Sequence, residues 1–159
     1  MKTTLKIAVV AWLAVIASTV FAQEWTKTQK EVWQVVEDSW AKTKAGDINT
    51  MFGYIHEKYQ GWNEDDPLPV SKEQVTNWFK KIFEMSKLDD YVLNPARITV
   101  TENAAVVDYY VWYQVSFQQG EKKEVRSFKG KNAEFYVKEG GKWLLLGDMT
   151  LTKEDKEEK

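Results

Sequence analysis

AAVVDYYVWYQVSF, residues 104–117, is the longest uninterrupted strand signal in this chain: β-branched and aromatic side chains fill it, and neither Pro nor Gly breaks it. Side chains alternate across a strand. Ala105, Val107, Tyr109, Val111, Tyr113 and Val115 therefore share one face, and Val106, Asp108, Tyr110, Trp112 and Gln114 share the other. The first face is apolar and predicts packing against helices. The second mixes large aromatics with polar groups, as a half-exposed or partner-facing surface does.

Working outward, the period stays at two. Strands are predicted over 91–101, 104–118, 122–138 and 142–152, joined by the short turns Glu102-Asn103, Gln119-Gly120-Glu121 and Glu139-Gly140-Gly141. Links this short make antiparallel hairpins. Asn94-Pro95 predicts a bend in the first of these strands, and Gly130 a bulge in the third.

Upstream the period changes to that of helices. Val32, Trp33, Val36 and Trp40 recur at three- and four-residue spacing and predict a helix over 24–44, with Gly46 as its stop. Asp47 can cap a second helix over 48–59, whose apolar stripe is Ile48, Met51, Phe52, Ile55 and Tyr59, with His56 at its edge. After Gly61-Trp62 and the acidic, proline-containing loop 63–69, Ser71 and Gln74 form a capping box for a third helix. That helix runs to about Ser86, with Val75, Trp78, Phe79, Ile82 and Phe83 on its apolar face. Three helices followed by a four-stranded antiparallel meander make an α+β domain, with a strongly curved sheet wrapped on the helices as a cone.

Residues 1–22 read as a cleaved signal peptide. Lys2 and Lys6 form its positive region, residues 7–16 its apolar region, and Val20-Phe21-Ala22 its cleavage site before Gln23. The expectation is therefore a periplasmic or secreted domain over 23–152, with a charged tail at 153–159 and no stable membrane association after cleavage. No cysteine is present, which excludes disulfides, thiolate metal sites and cysteine nucleophiles. Cleavage leaves 20 basic against 24 acidic side chains with no basic stripe, a composition that argues against nucleic acid as a partner. Seven tryptophans remain after cleavage, enough to imply a large aromatic core or an aromatic-lined cavity.

Several features together resemble the SnoaL-like, nuclear transport factor 2-like superfamily: the Ala45-Gly46-Asp47 break, the helix from Ser71 to Phe83 after Gly61-Trp62, the strand start Ala105-Val106-Val107, and Glu139-Gly140-Gly141-Lys142-Trp143 leading into the last strand. The resemblance spans roughly residues 25–150. It implies a cone-shaped domain, a small-molecule ligand and a homodimer formed through the sheet face. It does not choose a reaction, because this superfamily hosts isomerases, cyclases, dehydratases and noncatalytic binders. Members often carry a polar or histidine side chain on the inward face of the last strand. Strict alternation here puts Leu145, Gly147 and Met149 inward and Asp148 outward, which argues against an enzyme.

The cavity candidates are Trp40, His56, Trp62, Trp78, Tyr109 and Tyr113. Trp62 stands out because it follows a glycine in a loop. His56 is the only histidine and the candidate acid–base group of an isomerase, cyclase or hydratase. Glu64-Asp65-Asp66 lacks the spacing of a calcium loop, so neither a metal nor a cofactor is expected. Asp108 is expected to pair across the sheet with Lys138 or Arg126. Asp108, Tyr110, Trp112 and Tyr136 are expected to form the dimer surface. The leading expectation is a noncatalytic binder of a small apolar or aromatic molecule; the alternatives are the His56 enzyme and a protein-interaction module acting through the sheet.

Overall fold

The computed structural model describes residues 24–64 and 66–155; the expected signal peptide lies outside the described residues. Helix α1 (Lys27–Ala45) starts at a capping box in which Thr26 and Gln29 satisfy each other's backbone N–H groups, and it stops at Gly46 in the left-handed region. Helix α2 is short, Ile48–Phe52, and is capped by Asp47 as expected. Strand β1 (Ile55–Asn63) follows, then the two-residue strand β2 (Val70–Ser71) and helix α3 (Lys72–Met85), which opens on the predicted Ser71–Gln74 box. The remaining strands are β3 (Ser86–Val100), β4 (Ala104–Gln119), β5 (Lys122–Glu139) and β6 (Lys142–Glu154).

The α+β plan holds, but among the described residues the sheet has six strands in the order β2-β1-β6-β5-β4-β3, and two of the three helical segments are longer than five residues. The expected second helix ends at Phe52, and its second half is β1, with burial at 55, 56, 59 and 61. β1 runs parallel to β6, so the sheet is not a pure meander. β6 continues through Glu154, into the expected tail.

β4 is the strand that residues 104–117 predicted, and it lies between β3 and β5. Ala105, Val107, Tyr109 and Val111 are buried in one cluster with Val32, Trp33 and Val36 of α1, joined by Ile98, Tyr136 and Trp143. A second cluster, Met51, Phe52, Ile55 and Tyr59, packs with Val75 and Phe79 of α3. Leu145 touches both clusters.

Irregularities bend the strands. The register skips Ala96 beside Pro95, as Asn94-Pro95 predicted. Gly130 is not a bulge: it pairs in register with Val111 and Thr152, and its missing side chain lets the Leu151 carbonyl approach to where a Cβ would stand 2.2 Å away. The decisive bulge is Leu146. Phe135 pairs with Gly147 and Tyr136 with Leu145, leaving Leu146 without a partner on β5.

Candidate functional site

The Leu146 bulge reverses the alternation of β6. Trp143 and Leu145 face the helices before it; after it Asp148 turns inward, and Met149 is exposed on the outer face. The inward polar side chain that strict alternation denied to the last strand is therefore present.

Asp148 accepts a 2.9 Å hydrogen bond from the Tyr59 hydroxyl of β1. Gly61, next on the same face, leaves room for this bond: a Cβ there would stand 2.1 Å from the Tyr59 oxygen and 2.6 Å from Asp148 Oδ1. Across the sheet Asp148 pairs with Glu134, and Glu134 with Val107, which sets Glu134 on the concave face.

Glu134 is 7% exposed and anchors the cluster. Its Oε1 accepts from the Tyr109 hydroxyl and its Oε2 from the Tyr136 hydroxyl, both at 2.7 Å. The Tyr109 oxygen in turn accepts from Trp40 Nε1 at 3.1 Å and Asn132 Nδ2 at 2.8 Å. Burial pushes the Glu134 carboxyl up to about 7, against the two tyrosine hydrogen bonds, with Asp148 adding to the rise. Burial likewise raises Asp148, while Tyr59 opposes it, and raises Tyr109 and Tyr136 above the ordinary phenol range.

Above this polar floor stand aromatic walls. The Trp40 ring lies 5.4 Å from Tyr91 and 5.7 Å from Tyr113, and Tyr113 stacks on Phe128 at 5.1 Å. An open groove of about 710 Å3 lies between the C-terminal ends of α1 and α3 and the start of β3, lined by Thr43, Ile48, Phe83 and Leu88 among others.

Of the predicted cavity residues, Trp40, Tyr109 and Tyr113 come together here. Trp78 is 55% exposed on α3, edge-on to Phe79. Trp62 is half exposed on β1 opposite Met149, with its Nε1 donating to the Asp66 carbonyl, because its neighbour Gly61 takes the inward position. His56 is buried, but its Nδ1 accepts from the Lys58 N–H at 2.9 Å and its Nε2 lies 3.3 Å from Glu139. It bridges β1 to the β5–β6 turn, and among the described residues its ring nitrogens meet Lys58 and Glu139 rather than Tyr109 or Tyr113.

On the opposite face, Tyr110 is half exposed and Trp112 partly so, as expected. Asp108 pairs with Arg97, at 2.5 Å, rather than with Lys138 or Arg126. Tyr136 is corrected outright. It is 4% exposed in the core, because β5 registers Tyr136 against the inward Ala105 of β4. The outer face instead carries Phe135, Met149 and Leu151.

Sequence reasoning missed Tyr59, Asn132, Glu134 and Asp148. A signal for two of them lay in Asn132-Ala133-Glu134-Phe135-Tyr136, where polar and apolar side chains alternate cleanly, but their order invites the opposite assignment of faces.

A curved sheet packed against helices makes this an α+β domain, with a tyrosine-bound carboxyl pair on its helix-facing side. No protein-family profile matches this sequence, and no curated protein matches it significantly. Solved structures do. A conserved protein from Planctomyces limnophilus superposes with a TM-score of 0.72 at 16% identity, over 80% of this chain and 97% of that one. A ketosteroid isomerase-like protein from Erwinia carotovora atroseptica gives 0.66 at 10% identity, over 83% and 99%. An NTF2-like protein of unknown function from Prochlorococcus gives 0.64 at 10% identity, over 82% and 97%. The fold is that of the nuclear transport factor 2-like superfamily.

Proposed function

We propose that this protein is an exported, noncatalytic domain that binds a small apolar or aromatic molecule on the concave face, between α1, α3 and the sheet. One observation carries the reading. The hydroxyls of Tyr59, Tyr109 and Tyr136 are all spent on Asp148 or Glu134, beneath the half-buried rings of Trp40 and Tyr113. Catalysis through an anionic intermediate needs donors aimed at the place where charge develops; these donors are aimed at carboxylates. The groove at the ends of α1 and α3 is the proposed entrance.

A second reading, a proton-transferring enzyme, is favoured by the position of Glu134 near 7, a useful value for a general base. In that reading Glu134, not His56, carries the chemistry. The outer sheet face, with Tyr110, Trp112, Met149 and Leu151, is the proposed contact of a homodimer.

Binding is tested by tryptophan fluorescence and thermal shift of the mature chain against a library of apolar aromatic compounds. Saturable quenching that disappears in Trp40→Phe is the expected result. A library that moves neither signal overturns the reading.

A further inference from the structure

We infer that the ligand of the concave site carries a protonated amine, or a closely similar cationic hydrogen-bond donor, on its apolar body; this rests on the small-molecule-binding reading above. The argument is a balance of donors and acceptors. Glu134, buried, and Asp148, half-buried, bring two carboxyl groups to the floor, from neighbouring strands β5 and β6. The groups that face them are the hydroxyls of Tyr109 on β4, Tyr136 on β5 and Tyr59 on β1, while α1 contributes only the Trp40 N–H, which goes to Tyr109. No Lys, Arg or His among the described residues pairs with either carboxyl. Two acids buried together without a counter-charge are costly, and an incoming cation relieves that cost.

Asn132 supplies an independent sign. Tyr109 donates its single proton to Glu134, so the Asn132 atom facing the Tyr109 oxygen must be the NH2. That leaves Asn132 Oδ1 buried with no donor, on a side chain only 9% exposed. It shares a carbon with the nitrogen bonded to Tyr109, so it belongs to the same cluster. Buried acceptors left unsatisfied are uncommon and call for an explanation. The three tyrosine hydroxyls and the Trp40 N–H that reach this floor are all engaged, and no positive charge faces it; the other unpartnered buried polar atom among the described residues is Trp143 Nε1, in the same core. The rings of Trp40, Tyr91 and Tyr113 add a surface that attracts cations. An anionic ligand meets two carboxyl groups and no base, which discriminates against it.

The test uses the mature full-length chain and three matched head groups, 2-phenylethylamine, 2-phenylethanol and phenylacetate, together with their naphthyl and cyclohexyl counterparts. Binding is read by thermal shift and calorimetry at neutral pH. The amines are expected to bind more tightly than the alcohols and carboxylates by about tenfold or more, a ratio that corresponds to about 1.4 kcal/mol. Amine binding is also expected to release protons, seen as a buffer-dependent enthalpy, because the bound cation holds Glu134 ionised. Glu134→Gln should abolish that release and remove the preference for amines, with Asp148→Asn as the second variant should the first not fold. If the alcohols or carboxylates bind as tightly as the amines, or amine binding moves no protons, the assignment of ligand class is overturned while the binding site stands. If no compound of any head group binds at millimolar concentration, the binding reading itself falls.

Discussion

Tyr59 and Asp148 lie 89 residues apart in the chain and are joined by a 2.9 Å hydrogen bond across the parallel β1–β6 pair. Both belong to the concave face, one placed there by the change from helix to strand after Phe52 and the other by the Leu146 bulge. The bond thus ties two local departures from simple periodicity into one polar floor.

Removing the Tyr59 hydroxyl leaves the half-buried Asp148 carboxyl without its donor. Tyr59→Phe is expected to cost about 1–3 kcal/mol in urea denaturation. The loss should be larger in mildly alkaline buffer than in acid, because Asp148 then has to be buried ionised without its donor. Gly61→Ala should act in the same direction, since the added Cβ would stand 2.1 Å from the Tyr59 oxygen. Equal losses at both pH values would show that the effect is packing alone.

Glu134 makes stability pH-dependent with a definite sign. Its folded value, about 7, lies above its ordinary value of 4.5, so the folded state holds a proton that the unfolded state releases. Its contribution is fully present below about 4.5 and is lost as pH rises through about 7. The span corresponds to a change on the order of 3 kcal/mol. Glu134→Gln should flatten this part of the profile, matching the parent near pH 5 and exceeding it near pH 8 in denaturation curves. A parent profile that rises across this window would contradict the assignment.

The sheet's outer face is expected to make a dimer. Sedimentation should show two-chain particles at concentrations on the order of tens of micromolar. Trp112→Glu should yield monomers with an unchanged far-UV spectrum, because Trp112 lies on the face opposite the core. A parent protein that sediments as a monomer would sink the interface reading.

His56 serves here as a clip between β1 and the β5–β6 turn. His56→Gln is expected to lower stability by about 1 kcal/mol and to leave ligand-induced quenching of Trp40 unchanged. Loss of binding in a folded His56→Gln protein would return His56 to the site.

The helices with capping boxes, α1 and α3, and the strands joined by short turns were legible because their signals are local. Thr26–Gln29, Ser71–Gln74 and Gly140-Gly141 act within a few residues. β1 was not legible: Ile48, Met51, Phe52, Ile55 and Tyr59 fit one helical stripe, and only Gly53 interrupts it. The face of β5 misled for a different reason. Ala133 and Phe135 point outward although they are the apolar members of the alternation, while Asn132, Glu134 and Tyr136 point inward. A core that buries polar groups beneath an apolar outer surface inverts the pattern that hydrophobic burial alone predicts. The bulge at Leu146 is followed by Gly147, the kind of marker that was read at Gly130 instead, and it decides where Asp148 faces.

The parallel seam between β1 and β6 also sets a timetable. The four later strands can zip together through hairpins as soon as each is available, but β1 must wait for the last strand to arrive before it has a long partner. Contacts this distant in sequence close slowly, since the intervening loop must lose its freedom first. If the chain is exported through a membrane amino end first, β1 crosses among the earliest segments and stays unpaired until the carboxyl end has followed. A chain cut short before β6 would keep α1 and the β3–β5 hairpins yet expose two open strand edges, an invitation to aggregation. Pairing of β6 thus closes both of these edges at once.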